Sequence, residues 1–571
     1  MTKRDRIRST LNRLWWAALA LVALVLVGLS IPYALSAHYL ERAGDAAAIA
    51  DLERALAWDG RNVQARRALA RGYLAQGQSE AALQALQPAL DVVPVNPLAA
   101  SDLVPVYVAL DQPAAAIAAY ESAGVSWPSA AAALAYLDQA ESGDARAASG
   151  LWRRALAADP GNLYALMRLW QAARAAGDDA TAADLADRLR YFDLQAVAVP
   201  VEAGLAEYQA RAMAGLVEAG VWTRETLLNV VSYQVWQFAE GEAGARTEHV
   251  LDGLLVRWPG DADLRFYRAE LYHRRGEWER AEAAYRAVLE VDADYAQAYL
   301  RLGMVFEARE DLATAAEWYT RYRALAPDDL LGLKRLVEVQ EALGAADAAA
   351  LREAYLDLTD DRRIVARLMG VPVDEVQLGD NLIRNGDFAS WVGERPEWWT
   401  VSDMATGHPS NKGLFVGGPG DFSAPVGGGV RIQGLWLRQQ ADKEPGRWGY
   451  WYFDEPARHI AALALEADRY YVVSFDYRGD VYEQKGAAIK VSERDEVLWS
   501  GDYRLPSTGS AWRHVMIIAS NRGGAQAVIR LLLRSWVNAI VEFDRVWVSP
   551  LMLSTGLREE VAPVQIWSSG S

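Results

Sequence analysis

The stretch Asn381-Leu-Ile-Arg-Asn-Gly-Asp-Phe388 divides the 571-residue chain into two parts of different character. Residues before it show the apolar spacing of helices, whereas residues after it show the alternation and turn signals of strands. A chain of this length exceeds the size of one hydrophobic core, so more than one domain is expected. The sequence therefore predicts a multidomain α plus β protein whose last domain begins near residue 380.

Composition excludes several classes of site. The chain has no cysteine, which removes disulfides, thiolate nucleophiles and cysteine-ligated metals. Its net charge is −17, whereas a nucleic-acid binder needs a cationic surface to displace counterions. We therefore expect no nucleic-acid partner.

A basic segment precedes a long apolar one at the amino terminus. Residues 1–13 carry five Lys or Arg side chains, and the 22 residues from 14 to 35 carry no charge. Such a run is long enough to cross a bilayer as a helix, and basic residues stay on the cytoplasmic side. This pattern predicts a transmembrane signal anchor at 14–35, a cytoplasmic arm at 1–13 and a single-pass cell-membrane protein with its bulk extracytoplasmic. The alternative is a cleaved signal peptide, since Ala34-Leu-Ser36 offers a cleavage site.

Alanines recur at a fixed spacing between residues 45 and 357. They stand at positions 48, 82, 116, 148, 182, 281, 315 and 349, most of them 34 residues apart. With Tyr299, Gly303 and Tyr319 in phase, the pattern resembles the tetratricopeptide (TPR) repeat. The resemblance implies an α-α superhelix over 45–357 that binds protein partners through its groove. Segment 197–227 is helical in pattern but off-register.

Arg67 and Arg71 lie four residues apart on the first inner helix of this array. Such a pair is suited to holding an acidic group of a partner. The alternative is a solvated helix face, which is the commoner use of such spacing.

Strands follow a predicted linker at 358–379. Residues Tyr470 to Tyr477 alternate in the period of two expected for a half-buried strand, and further short strands are separated by Gly, Pro and Ser turns. This pattern predicts an antiparallel β-sandwich over 380–550, followed by a tail at 551–571.

The two ends of this segment resemble carbohydrate-binding modules with a galactose-binding-like jelly roll. The likeness rests on Asn381–Phe388 at one end and on Val541–Val548 at the other. It implies a jelly-roll sandwich, and it implies a structural calcium ion held in part by Asp387 and Asp544. The alternatives are that Asp387 forms a turn and that Asp544 ends a buried strand with a hydrogen bond.

An aromatic segment provides the candidate sugar site. Sugar rings are bound by aromatic faces together with polar side chains that reach their hydroxyl groups. The candidates are Trp436, Gln439, Trp448, Tyr450 and Tyr452. The alternative is that these aromatic residues belong to the core or contact the helical array.

The sequence shows no catalytic motif, so we expect a binding protein and not an enzyme, although a glycoside hydrolase would also use two carboxylates. The resulting hypothesis is a membrane-anchored extracytoplasmic adaptor that binds a glycan through the sandwich and proteins through the array. The alternative is a TPR scaffold subunit of an envelope polysaccharide synthesis or export complex, or of another membrane complex, with the sandwich as a structural or protein-binding cap.

Overall fold

The computed structural model describes most of the helical part and the strands of the C-terminal part. The described residues are 30–43, 48–90, 97–123, 128–143, 145–190, 203–392, 395–396, 399–403, 414–419, 430–435, 448–453, 463–465, 469–479, 487–493, 496–503, 508–520, 527–536, 540–553 and 564–568. Two compact units are present: Met1–Leu185 with Pro200–Leu205, and Ala186–Val199 with Ala206–Ser571.

Among the described residues, helices extend up to residue 369. The described part of α1 covers residues 30–43. The others are α2 Ile49–Trp58, α3 Val63–Ala75, α4 Ser79–Leu90, α5 Pro97–Ala109, α6 Pro113–Ser122, α7 Ala130–Ser142, α8 Ala145–Ala158, α9 Leu163–Ala175, α10 Asp179–Arg190, α11 Ala203–Glu218, α12 Arg224–Gln237, α13 Gly241–Arg257, α14 Ala262–Arg274, α15 Trp278–Val291, α16 Ala296–Ala308, α17 Leu312–Leu325, α18 Leu330–Leu343, α19 Ala348–Thr359 and α20 Asp361–Met369. The off-register segment is thus occupied by α11 and the start of α12.

Small residues let the paired helices approach each other, as the spacing predicted. Six of the eight repeat alanines are buried: Ala82, Ala116, Ala148, Ala182, Ala281 and Ala315. A Cβ on Gly303 would lie 2.3 Å from the ring of Tyr319, which shows how closely α16 and α17 pack. The pattern fails at its two ends, where Ala48 and Ala349 are exposed and Ala348 is buried instead.

Side-chain caps fix where many inner helices begin. The side chains of Asn62, Asn162, Asp261 and Asp329 each accept a hydrogen bond from a backbone amide in the first turn of the following helix. These contacts satisfy amides that have no partner within the helix, and each contributes about 1 kcal/mol. The sequence therefore sets the start of the inner helix in four units of the array.

The strands after α20 form two large antiparallel sheets and one ribbon. A short 3-10 helix, Val373–Glu375, is followed by β1 Val376–Leu378, β2 Trp391–Val392, β3 Arg395–Pro396, β4 Trp399–Asp403, β5 Leu414–Pro419, β6 Val430–Leu435, β7 Trp448–Phe453, β8 Leu463–Leu465, β9 Tyr470–Gly479, β10 Ala487–Glu493, β11 Glu496–Tyr503, β12 Gly509–Ser520, β13 Ala527–Trp536, β14 Ile540–Leu553 and β15 Val564–Ser568. The first sheet has the order β15-β12-β9-β14-β6-β5, with β1 beside β14. The second has the order β11-β10-β13-β7-β4, with β8 beside β13, and β2 pairs with β3.

The prediction of a complete jelly-roll sandwich is wrong. A free-standing sandwich leaves one face of each sheet to solvent, and the alternation in β9 predicted such a half-buried strand. Instead all ten residues of β9 are buried. The reason is α20, which occupies part of the predicted linker and packs on the first sheet. Its residues Ile364, Val365 and Ala366 form one apolar cluster with Tyr470, Val472, Met516, Ile518 and Leu551.

The prediction of a transmembrane helix is also wrong, and with it the predicted single-pass localisation. In the part of the chain that the structure describes, no helix is long and apolar enough to cross a membrane. The helix that contains the end of the predicted span is described over 30–43, where it includes Glu41 and Arg42. Residues 14–29 of the predicted span, and the arm at 1–13, lie outside the described residues.

Candidate functional site between the helices and the first sheet

Two contacts join the first sheet to the last helices of its own unit. The first, which we call the tryptophan junction, consists of Tyr322, Asp329 and Trp512. The side chain of Trp512 on β12 is fully buried and belongs to the apolar core of the helical repeats. Its backbone amide donates a hydrogen bond to Asp329, the residue that caps α18. Trp512 therefore fills part of the apolar core of the repeats beside α18.

Asp329 is the polar centre of the tryptophan junction. Its Oδ2 accepts hydrogen bonds from the amide of Gly332 at 2.8 Å and from the hydroxyl of Tyr322 at 2.9 Å. Burial raises the pKa of Asp329, although these donors, the amide of Trp512 and the nearby Arg478 oppose the shift. Because every named partner is a donor, the arrangement is suited to holding a carboxylate.

The second contact, which we call the charged junction, consists of Asp361, Asp476, His514 and Arg545. Asp361 lies in the first turn of α20, and the other three lie on β9, β12 and β14. The imidazole of His514 lies between two carboxylates: Nδ1 is 2.7 Å from Oδ1 of Asp476 and Nε2 is 2.9 Å from Oδ1 of Asp361. The sheet thus contacts α20 through a histidine with an acidic group at each ring nitrogen.

A β-bulge places Arg545 in this cluster. The pairing of β14 with β9 shifts register between Asp544 and Trp547, and Arg545 has a positive φ of 48°. Bulges redirect side chains in this way. The guanidinium donates to Oδ1 of Asp476 at 3.2 Å and to the carbonyl of Thr359, at the end of α19, at 3.1 Å.

The contacts of His514 favour the charged imidazole on balance. A carboxylate only accepts hydrogen bonds, so both ring nitrogens must carry a proton to bond Asp361 and Asp476. Burial and the nearby Arg545, whose Nη2 is 2.8 Å from Nδ1, oppose this charge. The two carboxylates outweigh them, so the pKa of His514 is raised above its ordinary value. With His514 charged, two anions face two cations and the junction is neutral.

The carboxyl groups respond in the opposite direction. Burial opposes the ionisation of Asp476, but Arg545 and His514 outweigh it and lower the pKa of this group. The pKa of Asp361 is likewise lowered by His514 and Arg545 against burial, and Ser474 donates to its Oδ2 at 2.7 Å. Burial and the charge of Asp476 raise the pKa of the neighbouring Tyr355 to about 12, so its hydroxyl stays neutral.

The stretch Asn381–Phe388 lies directly beside β14, so the two ends of the C-terminal segment meet. The side chain of Asn381 accepts from the amide of Val548 at 2.9 Å and donates to the carbonyl of Val546 at 3.2 Å. The amide of Val546 in turn donates to the carbonyl of Gly386 at 2.7 Å. A Cβ on Gly386 would lie 2.0 Å from the oxygen of Val546, so only glycine fits there.

A pocket of about 670 Å³ lies between this loop and α20. Its walls are formed by the start of α20, the Asn381–Asp387 loop and β14. The pocket is also lined by two members of the charged junction, Asp361 and Arg545, and by Ser474, which donates to Asp361. Trp547 at its edge is 38% exposed. Three of the five non-glycine residues with positive φ in the described chain, Asn385, Phe388 and Arg545, lie in or next to this pocket. Such strain is held only where the surrounding structure enforces it.

The predicted site residues are not all brought together. Trp436 and Gln439 lie outside the described residues. Trp448, Tyr450 and Tyr452 lie on β7, between β13 and β4 of the second sheet. Of the predicted calcium ligands, Asp387 lines the pocket and is exposed, whereas Asp544 is buried and accepts from the amide of Arg545 at 2.8 Å. Among the described residues, no group of three or more His, Asp or Glu side chains is arranged to hold a metal ion.

Sequence reasoning missed the charged junction. Asp361 lay in a segment predicted as a linker, and His514 belonged to no motif. The available signal was a titratable residue within each of two largely apolar strands, Asp476 in β9 and His514 in β12. The arginine pair of the other unit has a simple explanation, because Arg67 and Arg71 both bond Asp102 of the next inner helix.

Apolar side chains are exposed on the outer helices of the second unit. Val256, Val291 and Leu325 lie at or next to the last residues of α13, α15 and α17, and are 85%, 42% and 41% exposed. Successive members are 35 and 34 residues apart, which is one repeat. We call these three residues the outer row. The inner helices α12 and α18 of the same unit contact β6 and β12 of the sheet.

Comparison with known proteins supports the repeats. A sequence profile described as tetratricopeptide repeat matches residues 67–131, 246–290 and 274–329. The chain contains tetratricopeptide repeats. These repeats are typical of non-catalytic scaffolds for protein interactions. None of the curated proteins matches the chain significantly.

Solved structures that match part of the chain include the following three. The crystal structure of MamA is 17% identical, with 27% of this chain and 88% of that chain covered and a TM-score of 0.22. PilW, described as a widely conserved type IV pilus biogenesis factor, is 14% identical, with coverage of 51% and 90% and a TM-score of 0.20. A tetratricopeptide repeat protein from Parabacteroides merdae is 15% identical, with coverage of 48% and 96% and a TM-score of 0.19. Scores this low support no inference about function.

Proposed function

We propose that the chain is a scaffold whose TPR units bind a protein partner, and that the second unit uses its outer helices for this purpose. The observation that carries the proposal is the outer row. Large apolar side chains exposed once per repeat on one set of helices form a surface that favours a protein partner.

The inner helices of the second unit are less suited to the same role. Helices α12 and α18 contact the first sheet. The cap of α18, Asp329, also accepts a hydrogen bond from the amide of Trp512 in that sheet. Polar residues of α12 such as Asn229 and Ser232 are buried, as are Glu270 and Arg301, which pair with each other at 2.7 Å. A partner that enters from the inner side would have to displace the chain's own strands.

Arginines beside the outer row indicate the chemistry of the partner. Arg321 lies 4.8 Å from the ring of Trp318, and Arg286, 5.1 Å from the same ring, is paired with Glu282 at 3.0 Å. This neighbourhood combines apolar side chains with cationic groups. A partner segment with apolar side chains flanked by acidic residues would complement it.

Site-specific crosslinking tests the proposal. A photoreactive amino acid at Val291 should capture a partner in cells that produce the full chain, and the Val256→Glu and Leu325→Glu changes should abolish capture. A photoreactive amino acid at Leu343, which is 46% exposed on the inner helix α18, is the matched control. Equal capture from both positions, or capture that survives both glutamate changes, would show that the outer row is not the binding surface.

Glycan binding by the C-terminal strands is a second proposal. What favours it is the register of β7: Trp448 is paired with Trp536, and Tyr450 lies between Arg534 and Ser402. This brings an arginine and a hydroxyl residue next to the aromatic residues predicted from sequence. We expect the full chain to bind glycans on an array. A Tyr450→Ala variant that keeps its thermal unfolding midpoint should lose this binding. Absence of any glycan signal would remove the proposal.

A structural calcium ion also remains a proposal. Calcium needs several oxygen ligands, and the described chain supplies the carboxylates of Asp387 and Asp544 without a third acidic group arranged with them. Backbone carbonyls would have to complete the site. We expect added calcium to raise the thermal midpoint of the natural chain and to leave that of Asp387→Asn unchanged. An unchanged midpoint in the natural chain would count against the ion.

A further inference from the structure

The charged junction combines an acidic group from α20, an acidic group from the sheet and a histidine between them. We call Asp361, His514 and Asp476 the histidine bridge. We propose that the histidine bridge is a proton-dependent contact that holds the first turn of α20 on the first sheet and thereby sets the shape of the adjoining pocket.

No neutral form of His514 donates a hydrogen bond to both ends of the bridge. A neutral imidazole has one N–H, so either Asp361 or Asp476 would face a nitrogen lone pair. The distances of 2.9 Å and 2.7 Å then bring two acceptors together inside the protein. Loss of one proton therefore removes one hydrogen bond and places a nitrogen lone pair against a buried carboxylate.

Other groups also face the bridge. Arg545 from β14 faces Asp476 and His514, and Tyr355 from α19 lies close to Asp476 and Arg545. Arg545 stays charged at every physiological pH and Tyr355 stays neutral. His514 is therefore the group among them whose charge changes as the pH rises through its raised pKa.

The histidine bridge and the pocket share a residue of α20. Asp361 is both the α20 end of the bridge and part of the pocket wall, together with Thr359, Asp360 and Arg362. The later residues Ile364, Val365 and Ala366 are held by the apolar cluster, which does not depend on pH. Deprotonation of His514 removes the positive charge beside Asp361 and is thus expected to loosen the first turn of α20 while the rest of the helix stays in place.

Two measurements on the full chain test the proposal. Nitrogen-15 spectra of the histidine side chains report protonation, and His514→Gln assigns the signal of His514. We expect His514 to keep both protons at a pH at which the exposed His249 has lost one. A singly protonated His514 at a pH at which His249 is still charged would overturn the proposal.

Hydrogen exchange then reports the contact itself. At a pD near 6, His514→Gln should accelerate exchange in residues 361–366 about tenfold, as expected for one lost hydrogen bond to a charged group. At a pD above the pKa of His514 in the folded chain, the variant and the natural chain should exchange equally. His249→Gln is the control and should leave exchange in residues 361–366 unchanged at both pD values.

A second variant covers the case in which His514→Gln fails to fold. Asp361→Asn removes the acidic group from α20 without altering the sheet core, and it should produce the same faster exchange at low pD. Unchanged exchange in residues 361–366 in this variant, or in a folded His514→Gln variant at low pD, would show that the bridge does not hold α20.

Discussion

The tryptophan junction and the charged junction attach the same sheet to the same unit by different means. Trp512 is fully buried within the apolar repeat core, and its contribution comes from surface removed from water. Asp361, Asp476, His514 and Arg545 form a buried, neutral set of charges, which contributes only while every partner is present. One attachment therefore rests mainly on apolar surface removed from water, whereas the other depends on a proton held by His514.

The largest expected effect is the loss of Trp512. Trp512→Ala should lower the free energy of unfolding by about 3–5 kcal/mol, because it leaves a large cavity between β12 and α18. Denaturant unfolding of the full chain measures this loss. Trp547→Ala, on an exposed tryptophan of β14, is the matched control and should cost less than about 1 kcal/mol. Similar losses in the two variants would break the comparison.

A substitution in the loop beside β14 should have the next largest effect. Gly386→Ala places a methyl group against the carbonyl of Val546 and should cost about 3 kcal/mol, since backbone must move. Gly150→Ala on α8 meets nothing within 4 Å and should stabilise its helix by about 1 kcal/mol. The midpoint of thermal unfolding of the full chain measures both effects. A stable Gly386→Ala variant would show that the loop is not held against β14.

The pH dependence of stability separates the two junctions. Because the pKa of His514 is raised on folding, its contribution is complete below a pH of about 6.5 and is lost as the pH rises through the folded value. The lowered pKa values of Asp361 and Asp476 act oppositely, so their contribution is lost in acid, below a pH of about 4.

We therefore expect stability to fall by about 1.5–3 kcal/mol on the alkaline side, and the fall should disappear in His514→Gln. Unfolding in denaturant at a series of pH values measures it. Trp512→Phe should retain the alkaline fall, because the tryptophan junction contains no group that titrates there. A fall that persists in His514→Gln would assign it to other groups.

The smallest expected effect sharpens the role of Asp329. Asp329→Asn keeps one acceptor oxygen but replaces the other with an NH2 group, which then faces a donor, either the amide of Trp512 or the pair Gly332 and Tyr322. We expect a cost of about 1 kcal/mol, reduced because burial raises the pKa of the native carboxyl. Asp311→Asn, at the exposed cap of α17, is the control for a lost cap in the same array. A larger effect at Asp311 would show that the junction adds nothing to ordinary capping.

The helical repeats were predictable because each is a local feature. A buried alanine and its aromatic neighbours fall within 34 residues, so their spacing is visible without the fold. The ends were not predictable, since Ala48 and Ala349 have different neighbours from the alanines inside the array. A terminal repeat lacks one of the packing surfaces that the motif assumes.

The candidate site was predictable only in part. Asn381–Phe388 and residues 541–548 were singled out and do lie side by side, because their motif residues bond each other. Asp361 and His514 are 153 residues apart and share no motif, so nothing in the sequence pairs them. The β9 alternation predicted one buried face, and only α20 explains why the second face is buried too.

The bond between Asp329 and the amide of Trp512 joins residues 183 positions apart. During synthesis, a ribosome that adds roughly 5–20 residues per second needs about 10–40 s to travel from one to the other. For most of that interval, α18 has been synthesised and Trp512 has not. The part of the repeat core that Trp512 fills is therefore open to a chaperone during synthesis.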